Sequence, residues 1–466
     1  MNKLLRKPLE EHLLVSPARF EKFNLSENPF PSEPAVNQDS TDRRINGSIY
    51  ELEIRRKEHE QIEQVFLKQP QSSPNHLRLG YIIDTSYIGR GNGKSAFLIN
   101  LQQRVNREYC LDISNDLNKC FAMYVRPEPG GRTKTFPKFV DVFFQSILRL
   151  GIIKECLAIL RLEAITKLYP DFDLSEYLQD ENSLVANLTS SDWFEQQRLD
   201  ISKISEFILQ NKHLQSVPAH FPLFTGRELF YSHFVSQVDF ENYYRNLKRA
   251  QEKIDFVFSH LVQFFLASSF NGAYVLVDDF ERIPDFQSAR QKRDFAVELR
   301  SCLFDGTYTN ARIGFYNFFL VLHAGVQRLI REAWATSGME NRSPIYPQTL
   351  SKHIIPFAKL SREYGFMLIE KYLSEYRVDT SETGTLCPFT EDGVNRIGEL
   401  SEYNAGKMLK MAYDLLDRAA DIEGKVTINA EFVTDRRDMQ GDTDGYGTTI
   451  ESADSIDLVE KAKGHE

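Results

Sequence analysis

The chain has 466 residues, a formal net charge of −10, 42% hydrophobic and 26% charged residues. That length is room for about three domains, and the apolar fraction supplies a sizeable core. The acidic balance gives no global basic field, which weakens a nucleic-acid reading without excluding it, since a local patch could do the work. Cys110, Cys120, Cys156, Cys302 and Cys387 are odd in number and form no CxxC pair. They exclude a zinc ribbon and a disulfide framework and fit free thiols in a reducing cytosol. No window approaches ~18 uninterrupted apolar residues, and the first residues lack a signal-peptide core, so a cytoplasmic protein with no membrane contact is expected.

Residues 1–47 read as an extended arm, because the prolines around Asn28 to Pro34 oppose helix and sheet. Phe20, Phe23, Leu25 and Phe30 suit a segment draped over a core better than a solvated linker. Helical periodicity runs from Ile49 to Gln69. A strand is expected over 79–88, then a glycine-rich loop and a helix to 107. A second short strand lies within Leu117 to Val125, and a helix spans Phe136 to Leu150. This strand–helix–strand–helix order opens a parallel α/β sheet. Residues 151–250 show helical pieces and no strand alternation, which predicts a helical insertion, serving as a structural cap or as a partner surface. A long helix follows from Gln251 to Ser269, then a strand at Ala273 to Val277 and a helix over 286–303. A fourth strand covers Tyr316 to His323, with helix to Ala335, and a fifth, short strand covers His353 to Phe357. The remainder to about residue 433 is helical, with Thr390 as an N-cap. The stretch 434–466 reads as a polar, disordered tail.

Two stretches carry chemistry. Strand, loop and helix meet at Gly89, Arg90, Gly91, Asn92, Gly93, Lys94, Ser95 and Ala96. Glycines let backbone N–H groups turn around an anion, and the following helix directs its positive end at it. Lys94 can reach β/γ-phosphates and the Ser95 hydroxyl can sit on Mg²⁺. The bland alternative is a glycine turn between a strand and a helix. The second stretch is the apolar run ending in Asp278 and Asp279, followed by Glu281. Ligands sit at the carboxyl ends of strands in parallel sheets. Asp278 can hold Mg²⁺, and Asp279 or Glu281 can polarise an attacking water. The alternative is a strand capped by acids that begin a surface loop.

The order of these parts resembles an AAA+ P-loop ATPase of the origin-recognition/transposition-helper, STAND-like branch. The resemblance covers about residues 49–430 apart from the insertion. Arg55 and Glu58 resemble the Arg-x-x-Glu box near the adenine, Gly89 to Ser95 the Walker A loop, and Val275 to Asp279 the Walker B strand. His323 stands at the sensor position that closes the fourth strand. Arg342, with Arg331 as the alternative, stands where an arginine finger acts across a subunit interface. Lys407 takes the place of the sensor-2 arginine. Ile88, Asp279, His323 and Lys407 depart from the residues usual in the family. The implied fold is α/β: a parallel sheet flanked by helices, divided as 48–150 and 251–360 around the 151–250 insertion, with a helical lid over 361–433. The implied function is an assembly switch using ATP and Mg²⁺, working as a homo-oligomer on a protein partner, with nucleic acid as a further partner the family allows. DNA mobilisation and antiviral defence are the settings it suggests. A non-hydrolysing ATP-bound scaffold and a DNA-binding ATPase are the competing readings.

Overall fold

The computed structural model describes residues 18–68, 77–85, 90–111, 119–173, 181–216, 234–323, 325–345 and 352–435. The expectations for Ile88, for Gly89 and for the tail from 436 onward lie outside these residues. The chain divides into two compact units, one formed by 57–84 with 101–356 and one by 1–56, 85–100 and 357–466.

The first unit is built on a parallel sheet. Five strands, β1 (Leu79–Asp84), β2 (Cys120–Val125), β3 (Gly272–Val277), β4 (Tyr316–Leu322) and β5 (Ile354–Phe357), lie in the order β2-β3-β4-β1-β5. β1 pairs with β4, β4 with β3 and β3 with β2, all in parallel. Every residue of β1 to β4 is buried. Strands covered on both faces read as continuous apolar runs, which is why they are visible in the sequence. Alternation along β4 supplies both layers. Phe318 meets Phe143 at 5.7 Å between ring centroids, and Tyr316 meets the same ring at 5.1 Å, so the helix Phe136–Leu150 packs on that face. Phe319 points the other way and meets Phe66 at 4.4 Å. Gly80 makes room for that ring: a Cβ there would stand 2.6 Å from Phe66 Cζ.

The described part of 151–250 is helical and shares the sheet's core. Trp193, Phe194, Ile204, Phe240 and Tyr244 belong to one buried cluster with Val275 and Phe318. Arg161 is buried there, donating to the carbonyls of Leu188 (2.9 Å) and Val235 (2.6 Å) and lying over the Phe234 ring. The insertion is thus an integral part of this unit's packing.

Three expected elements differ in detail. β1 ends at Asp84, and the Thr85 N–H donates to the carbonyl of Phe357, the last residue of β5. The helix expected from Ile49 is a 3-10 turn (Leu52–Arg55), an α-helix (Arg56–Ile62) and a π turn (Glu63–Leu67). The helix expected over 251–269 carries a π turn at Phe256–His260. Such turns rotate a helix face locally, which a fixed 3.6-residue period does not register. Among the described residues no helix is long and apolar enough to cross a membrane.

The second unit packs the N-terminal segment among C-terminal helices. Phe20, Phe23, Leu25 and Phe30 are buried in one cluster with Ile369, Leu373, Ile397 and Leu416. The helices involved are Arg362–Glu375, Glu391–Leu400 and Ala405–Asp421. Phe30 meets Tyr372 and Phe389 at 6.1 and 5.8 Å, and Arg19 bridges Asp417 and Asp421. Thr390 caps its helix, accepting from the Gly393 N–H. The helix Ala430–Thr434 runs into what the sequence reads as tail.

Candidate functional site

The candidate residues form two groups, one within each unit. In the second unit the loop residues Arg90 to Gly93 lead into the helix Lys94–Arg107. Gly91 and Gly93 have φ of 100° and 82°, values that L-residues with a Cβ rarely adopt, so glycine is needed at both. Asn92 and Lys94 are buried, Ser95 and Ala96 continue the first turn, and the Phe97 N–H donates to the Gly93 carbonyl at 3.0 Å. Arg55, 5% exposed, lies against this loop. Its Nη2 donates to the Asn92 carbonyl (3.1 Å) and to Asn92 Oδ1 (3.2 Å), and its guanidinium stacks on Phe357 at 3.8 Å. Asn92 Nδ2 donates to the Ala358 carbonyl. Arg55 therefore holds the loop itself, whereas the resemblance assigns it to the base side. Lys407 sits half-buried in the first turn of Ala405–Asp421, its N–H capped by Asn404 Oδ1. Glu58 belongs to the other unit, half-buried on Arg56–Ile62.

In the first unit the polar residues stand at the carboxyl edge of the sheet. Register aligns Val125 of β2 with Val277 of β3, and Ile83 of β1 with Leu322 of β4. The next residues along are Arg126, Asp278, Asp84 and His323, so four neighbouring strands each end in a polar group. Asp278 is buried; its Oδ2 accepts from Tyr124 Oη at 2.6 Å and its Oδ1 from the Asp279 N–H at 2.9 Å. Burial, reinforced by the Asp278 charge, pushes the Tyr124 hydroxyl far above its ordinary range, so it stays a donor.

Asp279 adopts the left-handed region, φ 47° and ψ 43°, a conformation that in a non-glycine residue often marks a functional turn. One of its oxygens, Oδ2, accepts from Arg126 Nε and Nη2 at 3.0 and 2.9 Å and pairs with Arg282 Nη2 at 2.6 Å. Its Oδ1 lies 3.7 Å from His323 Nε2. Burial works against ionising Asp279, but the nearby His323 ring and the Arg282 and Arg126 charges together outweigh it and hold the carboxyl well below the usual range. Glu281, also buried, has Oε1 3.0 Å from His323 Nε2.

The structure thus brings together Asp278, Asp279, Glu281 and His323. It leaves Arg342 elsewhere: the adjoining Ser343 bonds the carbonyl of Leu79, the first residue of β1, and the charge of Arg342 acts on Arg78. That is the amino edge of the sheet. Arg331 is exposed on the helix Val326–Ser337. Sequence reasoning missed Asp84, Tyr124, Arg126 and Arg282. Asp84 and Arg126 carry a readable signal, since each ends an apolar run just as Asp278 does.

No family model, curated protein or solved structure matches this chain.

The donor set decides what the edge can do. Asp279, Glu281 and His323 each offer a ligand atom within 4.8 Å of the others. Two guanidiniums already neutralise Asp279, which disfavours a cation bound through it. Asp278 offers a carboxylate of the hard-oxygen type that Mg²⁺ takes. Glu281 beside His323 is suited to proton transfer, the two groups lying within hydrogen-bond reach.

Proposed function

We propose that this chain binds Mg-ATP and hydrolyses it slowly, as an assembly switch of the AAA+ kind. The observation that carries this reading is the shared carboxyl edge. β1, from which the chain runs into the glycine loop, ends on the same side of one parallel sheet as β3 with Asp278 and β4 with His323. A strand leading to a Gly-Lys-Ser helix start and a strand ending in carboxylates are complementary halves of a nucleotide site.

In this reading the loop N–H groups and Lys94 take the phosphates, and Ser95 with Asp278 would hold Mg²⁺, which when bound offsets phosphate charge. Glu281, backed by His323, accepts the proton of the attacking water. Asp279 is a weaker acceptor, because two arginines stabilise its ionised form. Lys407 adds positive charge, and Arg331 or Arg342 acts across an oligomer interface. A protein partner or a nucleic-acid complex reads the switch, in DNA mobilisation or antiviral defence. Calorimetry with ATP and phosphate release on wild type and Lys94→Ala test the reading, with size-exclusion mass measured with and without ATP. Equal ATP affinity in the two proteins would refute it. The arginine clamp on Asp279 favours one second reading, an ATP-bound scaffold without turnover. Tight binding with no phosphate release in wild type would select it.

A further inference from the structure

We infer that Asn404, Gly406 and Arg55 are positioning residues that aim three successive N–H groups of the glycine loop at one anion; the inference rests on the reading of that loop as a phosphate site. The argument begins with peptide geometry. In a planar trans peptide the C=O of one residue and the N–H of the next point in opposite directions. Holding three consecutive carbonyls from outside therefore turns the three following N–H groups the other way.

All three carbonyls are held. Asn404 Nδ2 donates to the Arg90 carbonyl at 2.8 Å. The Gly406 N–H donates to the Gly91 carbonyl at 2.8 Å. Arg55 Nη2 donates to the Asn92 carbonyl at 3.1 Å. The N–H groups turned by these bonds are those of Gly91, Asn92 and Gly93. Among the described residues nothing accepts from them. A polyphosphate is a ligand of matching chemistry, since successive backbone N–H groups form anion-binding concavities.

The fit is close enough to restrict the residues. Asn404 is fully buried and serves twice: its Oδ1 caps the helix Ala405–Asp421 by accepting from the Lys407 N–H at 3.1 Å, while its Nδ2 holds the loop. A Cβ on Gly91 would stand 2.6 Å from Asn404 Oδ1. A Cβ on Gly406 would stand 3.2 Å from Gly91 Cα and 3.3 Å from its carbonyl oxygen. The two glycines let loop and helix backbones meet directly. Seating of this helix and the shape of the loop are then one equilibrium, so whatever favours one favours the other.

Asn404→Asp separates the two duties of Asn404. Aspartate caps a helix as well as asparagine does, but it has no N–H for the Arg90 carbonyl. Mg-ATP affinity by calorimetry, hydrogen exchange at position 406, whose N–H donates to the Gly91 carbonyl, and the melting temperature are read on wild type, Asn404→Asp, Gly406→Ala and Lys94→Ala. Asn404→Asp should weaken Mg-ATP about tenfold, the effect of roughly one lost hydrogen bond, and speed exchange at position 406, with a lower melting temperature because its buried carboxylate faces the Arg90 carbonyl. Gly406→Ala, which raises helix propensity, should show the same two effects and so covers the case in which Asn404→Asp fails to fold. Lys94→Ala should lose affinity with exchange at position 406 unchanged. Wild-type affinity and wild-type exchange in both loop-facing variants would overturn the inference. Should wild type itself not bind ATP, the functional reading fails, and exchange alone decides this one: faster exchange in the variants upholds it and unchanged exchange overturns it.

Discussion

Acid should destabilise the sheet-bearing unit through His59 by a calculable amount. His59 is 2% exposed on the helix Arg56–Ile62, with Nδ1 3.4 Å from Arg104 Nη1. Arg104 also donates to Glu63 at 2.7 Å, so its charge is fixed in place beside the ring. Burial first, and the Arg104 charge second, lower the imidazole from 6.5 to about 3. The folded chain therefore keeps His59 neutral at a pH where the unfolded chain protonates it. A depressed folded value means that the contribution is complete above 6.5 and is lost as the pH falls from there towards about 3. At pH 5 the loss spans about one and a half pH units at ~1.36 kcal/mol each, about 2 kcal/mol. That figure depends only on the unfolded value, because folded His59 is still neutral at pH 5. The chain's two tryptophans, Trp193 and Trp334, both lie in the unit that contains His59, so their fluorescence during urea unfolding reports on it. His59→Gln keeps an acceptor for Arg104 and does not titrate. Wild type should lose about 2 kcal/mol more than His59→Gln between pH 7.5 and pH 5. A difference between the two proteins that stays constant over that range would refute the reasoning.

The proton-transfer assignment predicts unequal effects of two carboxamides. Glu281→Gln should lower phosphate release at saturating ATP by about 10² or more, and Asp279→Asn by less; the reverse order would move the role to Asp279. Gly80→Ala should lower stability by about 1–3 kcal/mol, since its Cβ would stand 2.6 Å from Phe66 Cζ in a filled core. A melting curve like that of wild type would show that the ring can move aside. Four cysteines are buried and Cys387 is partly exposed, so a chromogenic thiol reagent should titrate one thiol in the native protein and five in denaturant. More than one fast native thiol would contradict that packing.

The sheet was legible because β1 to β4 are buried on both faces and so appear as apolar runs. The arm was legible through Phe20, Phe23, Leu25 and Phe30, too many large apolar groups for a solvated stretch. Strand order was not legible, since nothing local in β4 says that it lies between β1 and β3. The carboxylates after β3 stood out as a motif, whereas Arg126 and Arg282, which clamp Asp279, are ordinary arginines until the αL turn at Asp279 brings them to one oxygen. Arg55 was found by resemblance, but its hold on Asn92 is a long-range contact without a local pattern. Asn404 was hidden for a similar reason. An asparagine before a helix reads as an N-cap, and the sequence does not reveal its second partner, 314 residues away at Arg90.

That separation sets a timetable for the newly made chain. At roughly 5–20 residues per second, Asn404 leaves the ribosome about a quarter of a minute to a minute after Arg90. Everything the sheet unit needs, 57–84 and 101–356, has been made before residue 357 appears. The sheet can therefore fold while the glycine loop still lacks the groups that shape it. Closing so long a loop costs little extra entropy, since the cost grows only with the logarithm of its length. The growing chain thus shapes its glycine loop last, once the C-terminal helices have been made.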